Sequence, residues 1–249
     1  MNEDDLTRAK VEDKIRQCAE RYAASATGFL DLHQQSAVRG PVKDAGDTEC
    51  IYYGGYDDAE RCILVCLPDY ETLKGEDYLD VIRVQTAKGS KKPSHRDYLG
   101  SLLGLGIKRE KIGDILVRED GADIIAVKEI SDFVLRNYSK AGRTELKAEK
   151  LPISRLIVPE ARTKTVTETV SSCRLDNVVA CGFGMSRSKA TEAIAGGRVF
   201  VNSMETTKPD RTAAEGDKIV LRGKGKIVLS QTGGRSKKGR EYITVIRYI

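Results

Sequence analysis

Apolar residues recur along this chain at two spacings, and the switches between them divide it into segments. Between residues 6 and 29, Leu6, Ile15, Cys18, Ala19, Tyr22, Ala26 and Phe29 predict the buried face of one long helix. Residues 49–53 and 61–67 then read as two strands, parted by the turn-rich Gly54-Gly55-Tyr56-Asp57-Asp58. A strand–loop–strand after a helix predicts a small N-terminal α/β domain over residues 1–77. A new rhythm begins near Tyr78. Residues 81–84 predict a strand and 94–105 a helix. Residues 112–117 and 123–127 predict a hairpin turned at Asp120-Gly121, followed by a helix over 130–140 and a strand over 145–151. That order, βαββαβ, is the ferredoxin-like or RNA-recognition-motif (RRM-like) topology, placed here over residues 78–158. Its central strands offer Val, Ile and Ala where base-stacking aromatics belong, so the pattern speaks to fold and not to stacking. Pro152 and Pro159 flank a segment leading into residues 163–167, read as an ordered linker or an edge strand.

The most telling periodicity comes later. Leu175, Val178 and Val179 form an i, i+3, i+4 stripe, predicting a short helix that starts near Arg174 and stops at Gly182. Ser186 is a good N-cap for a second helix, whose first turn carries Arg187 and Lys189. Cations there oppose the helix dipole unless an anion sits at that end. Gly196-Gly197 closes this helix, and Val199-Phe200-Val201 starts a strand. The tail, residues 223–229 and 239–245, reads as a basic hairpin with a long loop over 233–238. Two short helices with a cationic rim feeding a small sheet make a phosphate-reading surface.

The series Arg174-Leu175-Asp176, Ser186-Arg187, Gly197-Arg198-Val199-Phe200-Val201-Asn202 and Gly216-Asp217 closely resembles the ribosomal-protein-S4-like RNA-binding domain. The resemblance implies an S4-like αL RNA-binding domain over residues 171–249. Its candidate RNA contacts are Arg174, Ser186, Arg187, Lys189, Arg198, Asn202 and Lys208.

Charge sharpens this picture. The net charge of +5 is the difference of two unlike parts: residues 171–249 carry 15 Lys/Arg against 7 Asp/Glu, or +8, and residues 1–170 carry 27 against 30, or −3. Positive charge gathered at one end is the footprint of a polyanion-binding module. A membrane surface would also attract it, but no basic amphipathic helix accompanies the charge. No apolar run reaches the length of a membrane span, and the acidic start Met1-Asn2-Glu3-Asp4-Asp5 is unlike a secretory leader, so the expectation is a cytoplasmic protein. The six cysteines are scattered, and with only His33 and His95 beside them no zinc spacing exists; reduced structural thiols are expected.

Four motifs invite an enzymatic reading. Met185-Ser186-Arg187-Ser188-Lys189 looks like the K-M-S-K-S loop of class I aminoacyl-tRNA synthetases, but neither Asp31-Leu32-His33-Gln34 nor Ser94-His95-Arg96-Asp97 supplies the H-I-G-H motif those enzymes need. Arg174-Leu175-Asp176 looks like the G-R-L-D motif of pseudouridine synthases, with Cys173 in place of the glycine and no room for their catalytic region after it. The glycine-rich stretch at 100–106 has no Lys-Ser/Thr after it. Finally, Ser94 is the expected N-cap of a helix whose first turn is His95, Arg96 and Asp97. Neighbouring helical residues diverge by ~100°, so these cannot form a triad among themselves. Capping with a salt bridge and RNA contact both remain open; His95 and Arg96 are taken as a second RNA-contact site.

Residues 94–109, Ser94-His95-Arg96-Asp97-Tyr98-Leu99-Gly100 through Lys108-Arg109, together with Ile112-Gly113-Asp114-Ile115, resemble the YlmH family of bacterial proteins. So do Phe29-Leu30-Asp31-Leu32-His33-Gln34-Gln35, Gly54-Gly55-Tyr56 and Ala59-Glu60-Arg61, with His33 as one departure from the pattern. The resemblance spans nearly the whole chain. It implies ribosome-linked RNA binding in the rescue of stalled large subunits that carry peptidyl-tRNA, with genes near those of cell division. The expectation is therefore an α+β, three-domain, non-enzymatic protein that docks on ribosomal RNA of the large subunit, with tRNA as a further candidate. No cofactor, metal, membrane or small-molecule substrate is implied. An accessory RNA-modifying enzyme, pseudouridine-synthase-like, and a scaffold for cell division stand as the alternatives.

Overall fold

The computed structural model describes residues 2–87 and 89–248. They form two compact units, residues 1–159 and 160–249. The chain is mixed α and β throughout.

In the first unit, helix α1 (Glu3–Arg21) opens with a reciprocal capping box between Asn2 and Asp5. It ends at Tyr22, which turns left-handed at φ 49°. The expected single helix over 6–29 is thus two elements, because residues 25–30 form strand β1 (Ser25–Leu30). The buried positions of α1 are Thr7, Val11 and Cys18, whereas Leu6 and Tyr22 are exposed. The apolar residues Ala26 and Phe29 continue the helical spacing but belong to β1.

Two short helices, α2 (Leu32–Ala37) and α3 (Arg39–Lys43), lead to β2 (Glu49–Tyr53) and β3 (Cys62–Leu67). The three strands pair antiparallel in the order β1-β3-β2. On one face, Leu30, Leu64 and Cys66 pack against Val11 and Cys18 of α1. His33 of α2 reaches Asp4 of α1 at 3.1 Å.

Next come β4 (Leu79–Thr86), α4 (His95–Gly104), β5 (Ile112–Val117), β6 (Gly121–Val127), α5 (Lys128–Asn137), β7 (Lys140–Ala141) and β8 (Thr144–Pro152). They form an antiparallel five-stranded sheet in the order β5-β6-β4-β8-β7. Ile82, Val84 and Ile124 face α4 and α5 through Tyr98, Leu102 and Val134. The opposite face is closed: Val81 and Ile125 pack with Phe29, Ile63, Val65 and Leu67 of the three-stranded sheet. Burial on both faces is why β6 shows no alternation and is apolar apart from Asp123, which is paired with Arg83 and Arg118. It also explains the missing aromatics, since the face on which a recognition motif stacks bases is core here.

The second unit begins with β9 (Thr163–Val170), an edge strand paired along its length with the last strand. Then follow α6 (Leu175–Phe183), α7 (Arg187–Ala195), β10 (Val199–Val201), β11 (Met204–Glu205), β12 (Lys218–Leu221), β13 (Gly225–Arg235) and β14 (Glu241–Tyr248). The sheet order is β11-β10-β12-β13-β14-β9. Its inner face and the two helices enclose Leu175, Val178, Val179, Ile194, Ile219, Ile227 and Val245. The first half of the long loop expected at 233–238 is strand, because β13 continues to Arg235; the turn is confined to the residues after it. Gly182 does not end α6. It lies inside the helix, where a Cβ would come within 2.5 Å of Ile227 Cδ1, and the stop falls at the left-handed Gly184.

Among the described residues all six cysteines are free thiols, and no helix is long and apolar enough to cross a membrane.

Candidate nucleic-acid interface

The N-terminus of α7 organises two adjoining clefts. Ser186 caps it, its hydroxyl accepting from the Lys189 N–H at 3.3 Å. Arg187, in the first turn, does not stand free against the helix dipole as expected. It folds back onto Asp176 of α6, with Nε and Nη2 donating to Oδ2 at 3.1 and 3.0 Å. Arg174, the N-cap of α6, reaches the same carboxylate at 3.3 and 3.0 Å. Asp176 is only 2 % exposed. Burial pushes its carboxyl up, but the bonds from Arg174 and Arg187 outweigh burial and hold it below the usual range. One buried carboxylate thus locks two arginines into a fixed pair.

That pair lines a cleft of about 550 Å³ with Ser188, Thr191, Pro209 and Asp210. Two guanidiniums against Asp176 and Asp210 make it close to neutral. The neighbouring groove, about 690 Å³, is different. Ser186, Lys189, Glu192 and Arg198 line it from the α7 side, and Arg222 and Lys224 from the turn between β12 and β13. Four cations stand there against one carboxylate, and Arg198 approaches Glu192 only at 3.9 Å. Excess positive charge in a concave, exposed setting raises the local concentration of polyanions. No local signal in the sequence marks Arg222 and Lys224; pairing of β12 with β13 sets their turn, which lines the groove with α7.

The remaining candidates separate from these clefts. The Asn202 carboxamide fastens a turn: Nδ2 donates to Asp217 at 2.7 Å, and Oδ1 accepts from the Lys218 N–H at 2.9 Å. Its left-handed φ of 51° suits an asparagine. Asn202 is exposed, and its carboxamide is engaged within the turn. Lys208 is exposed in the loop between β11 and β12, outside both clefts.

His95 and Arg96 lie in the first unit, at the start of α4, and both are exposed. Ser94 and Asp97 around them form a reciprocal capping box, with Asp97 Oδ2 accepting from the Ser94 N–H at 2.8 Å and from its hydroxyl at 2.7 Å. Partial burial and the charge of Arg109 hold the His95 imidazole below its usual range, against the pull of Asp114.

Comparison with known proteins follows the same division. Residues 74–155 match the family described as "Putative RNA-binding domain in YlmH", and residues 173–219 match the S4 domain. The chain is similar to ribosome-associated protein quality control protein P2 of Bacillus subtilis, with 34% identity over 229 residues, covering 92% of this chain and 89% of that protein. It is also similar to the solved structure of cell division protein ylmH from Streptococcus pneumoniae, at a TM-score of 0.52 and 25% identity, covering 63% of this chain and 96% of that one.

Proposed function

The chain belongs to the YlmH family, and from that premise we propose that it is a non-enzymatic protein that docks on ribosomal RNA of the large subunit, with tRNA as a second contact, in the rescue and quality control of stalled ribosomes. The observation that carries this reading is the groove of Lys189, Arg198, Arg222 and Lys224, with its surplus of cations inside an S4 domain. A phosphodiester backbone is the ligand that rewards several cations spaced along a groove. The name of the Bacillus subtilis relative supplies the ribosomal setting. A cytoplasmic location follows from such a partner.

Arg174 and Arg187 serve as a pre-organised fork beside the groove, each with donors left for phosphate after binding Asp176. Ser186 and Lys208 extend the contact, and His95 with Arg96 form the second contact on residues 1–159. The motifs that suggested catalysis have structural employment: Asp176 is pinned between two arginines, and Ser94 and Asp97 cap α4.

The reading divides the chain into domains at 1–77, 78–158 and 171–249, with a ferredoxin-like middle domain. The strand order β5-β6-β4-β8 with both helices on one face supports that topology.

The test is co-sedimentation of the full chain with large ribosomal subunits, before and after Lys189→Ala, Arg198→Ala, Arg222→Ala and Lys224→Ala are combined. Loss of binding with an unchanged melting temperature is expected. Full retention would refute the groove as the docking surface.

A further inference from the structure

A second cationic feature lies in the first unit. Arg61 precedes β3, and Arg109 opens the short turn before β5. Arg61 Nε donates to the Ile112 carbonyl at 3.2 Å, and Nη2 donates to the Phe29 carbonyl at 3.1 Å. Arg109 Nη1 donates to the same Ile112 carbonyl and, at 3.3 Å, to that of Gly113. Two guanidiniums therefore converge on one neutral oxygen.

Among the described residues neither forms an ion pair. Two carboxylates, Asp31 and Asp114, lie near enough for their charges to act on both guanidiniums. Asp31 caps α2, with Oδ1 accepting from the Gln34 N–H at 3.0 Å. Asp114 Oδ2 accepts from the Tyr56 hydroxyl at 2.9 Å and the Glu60 N–H at 2.8 Å, and Oδ1 from the Arg61 main-chain N–H at 3.2 Å. Like charges this close, half removed from water, repel. The Arg109 guanidinium is accordingly brought down to about 10 by burial and by the charge of Arg61.

A guanidinium has five N–H donors, and the bonds above use only part of them. The remaining donors of Arg61 and Arg109 are not among the buried polar atoms left without partners, so they reach solvent. Paired forks, held by main-chain carbonyls with donors left over, suit a group with several anionic oxygens.

We propose that Arg61 and Arg109 bind an RNA phosphodiester, giving residues 1–159 an anion site of their own. The proposal deepens the RNA-docking reading and rests on it for the identity of the anion.

The test uses the full chain and a single-stranded uridine oligonucleotide of about 16 nucleotides. In a background where Lys189→Ala and Arg198→Ala disable the groove, residual binding is expected. Adding Arg109→Gln should lower it roughly ten-fold, and Arg109→Lys should restore it only in part. Because Arg109→Gln removes bonds to two carbonyls, a second arm uses the unsubstituted chain. There, the oligonucleotide should protect Arg61 and Arg109 from an arginine-specific dicarbonyl reagent. Unprotected arginines, or residual binding indifferent to Arg109→Gln in a folded variant, would overturn the proposal. So would protection by a polyglutamate peptide but not by RNA, which would make the partner a protein. If the groove variant binds at full strength, the groove reading fails; the Arg109 arm then still decides this one.

Discussion

Arg187 places both Nε and Nη2 on one oxygen of Asp176, at 3.1 and 3.0 Å, while Arg174 holds the other side of the same carboxylate. Lys189, two residues further along α7, has no such tether and lines the basic groove. The two cations at one helix start should therefore respond differently to removal. Arg187→Ala should lower stability by about 1 kcal/mol, a modest figure because its side chain is 54 % exposed and Arg174 remains on Asp176. Lys189→Ala should leave the melting temperature unchanged. Both should weaken RNA binding. Thermal melts beside filter binding check this, and equal stability losses would show that the tether contributes nothing.

The carboxylate itself predicts a pH dependence. Asp176 has its proton affinity lowered in the folded chain, because the two arginines outweigh burial. The unfolded chain therefore binds this proton more readily. Its stabilising share is present above the ordinary aspartate value of about 3.9, and it is lost as pH falls through the depressed folded value. Asp176→Asn should lower stability at neutral pH and flatten the acid limb of the stability–pH curve. Denaturant melts from neutral pH down to about pH 3 test it. An unchanged acid limb in the variant would assign that limb to other groups.

RNA affinity should be electrostatic and reside mainly in residues 160–249. With each phosphate contact on single-stranded RNA worth a slope of about −0.7 in log K against log salt, the four groove cations predict about −3. The combined groove variant should bind more weakly, with a slope shallower by about that amount. Titrations at several salt concentrations measure it, and a flat dependence for the unsubstituted chain would exclude phosphate as the main contact.

At the start of α4, capping and contact can be separated. Ser94→Ala removes the hydroxyl that accepts from the Asp97 N–H and should cost about 1 kcal/mol of stability without touching RNA binding. Arg96→Ala should do the reverse, lowering ribosome co-sedimentation at constant melting temperature, with Arg96→Lys restoring only part because the fork is lost. Melting curves and sedimentation of the three variants decide between a structural and a contacting first turn.

How far the sequence carried can be read from these same residues. The stripe of Leu175, Val178 and Val179, the Ser186 cap and the strand at Val199 were legible because each is a local signal with a local cause. The pair Arg187–Asp176 was not. It is separated by eleven residues across a turn, and only the packing of α6 on α7 makes it visible. Likewise Arg61 and Arg109 are 48 residues apart and meet only because β3 and the turn before β5 are brought together. The strand after α1 was lost for a simpler reason: Ala26 and Phe29 continue a helical spacing, and nothing local announces that Tyr22 has already turned the chain. The groove cations Arg222 and Lys224 were counted as charge, but their place beside α7 depends on strand pairing.

Gly182 offers a test of the packing that holds α6 in place. A glycine inside a helix is costly relative to alanine, roughly 1 kcal/mol, so Gly→Ala in mid-helix ordinarily stabilises. Here the added Cβ would approach Ile227 Cδ1 to 2.5 Å and Val245 Cγ1 to 3.1 Å, in a core where Ile227 and Val245 are fully buried. Overpacking of that kind costs about 1–3 kcal/mol, which matches or exceeds the propensity gain. Gly182→Ala should therefore lower the melting temperature or leave it unchanged. The double substitution Gly182→Ala with Ile227→Val, which takes away the obstructing methyl, should recover stability relative to the Ile227→Val single variant. Both melting temperatures, set against the parent chain, give the answer; a clear gain from Gly182→Ala alone would mean that β13 yields easily and that α6 is not seated on it by close contact.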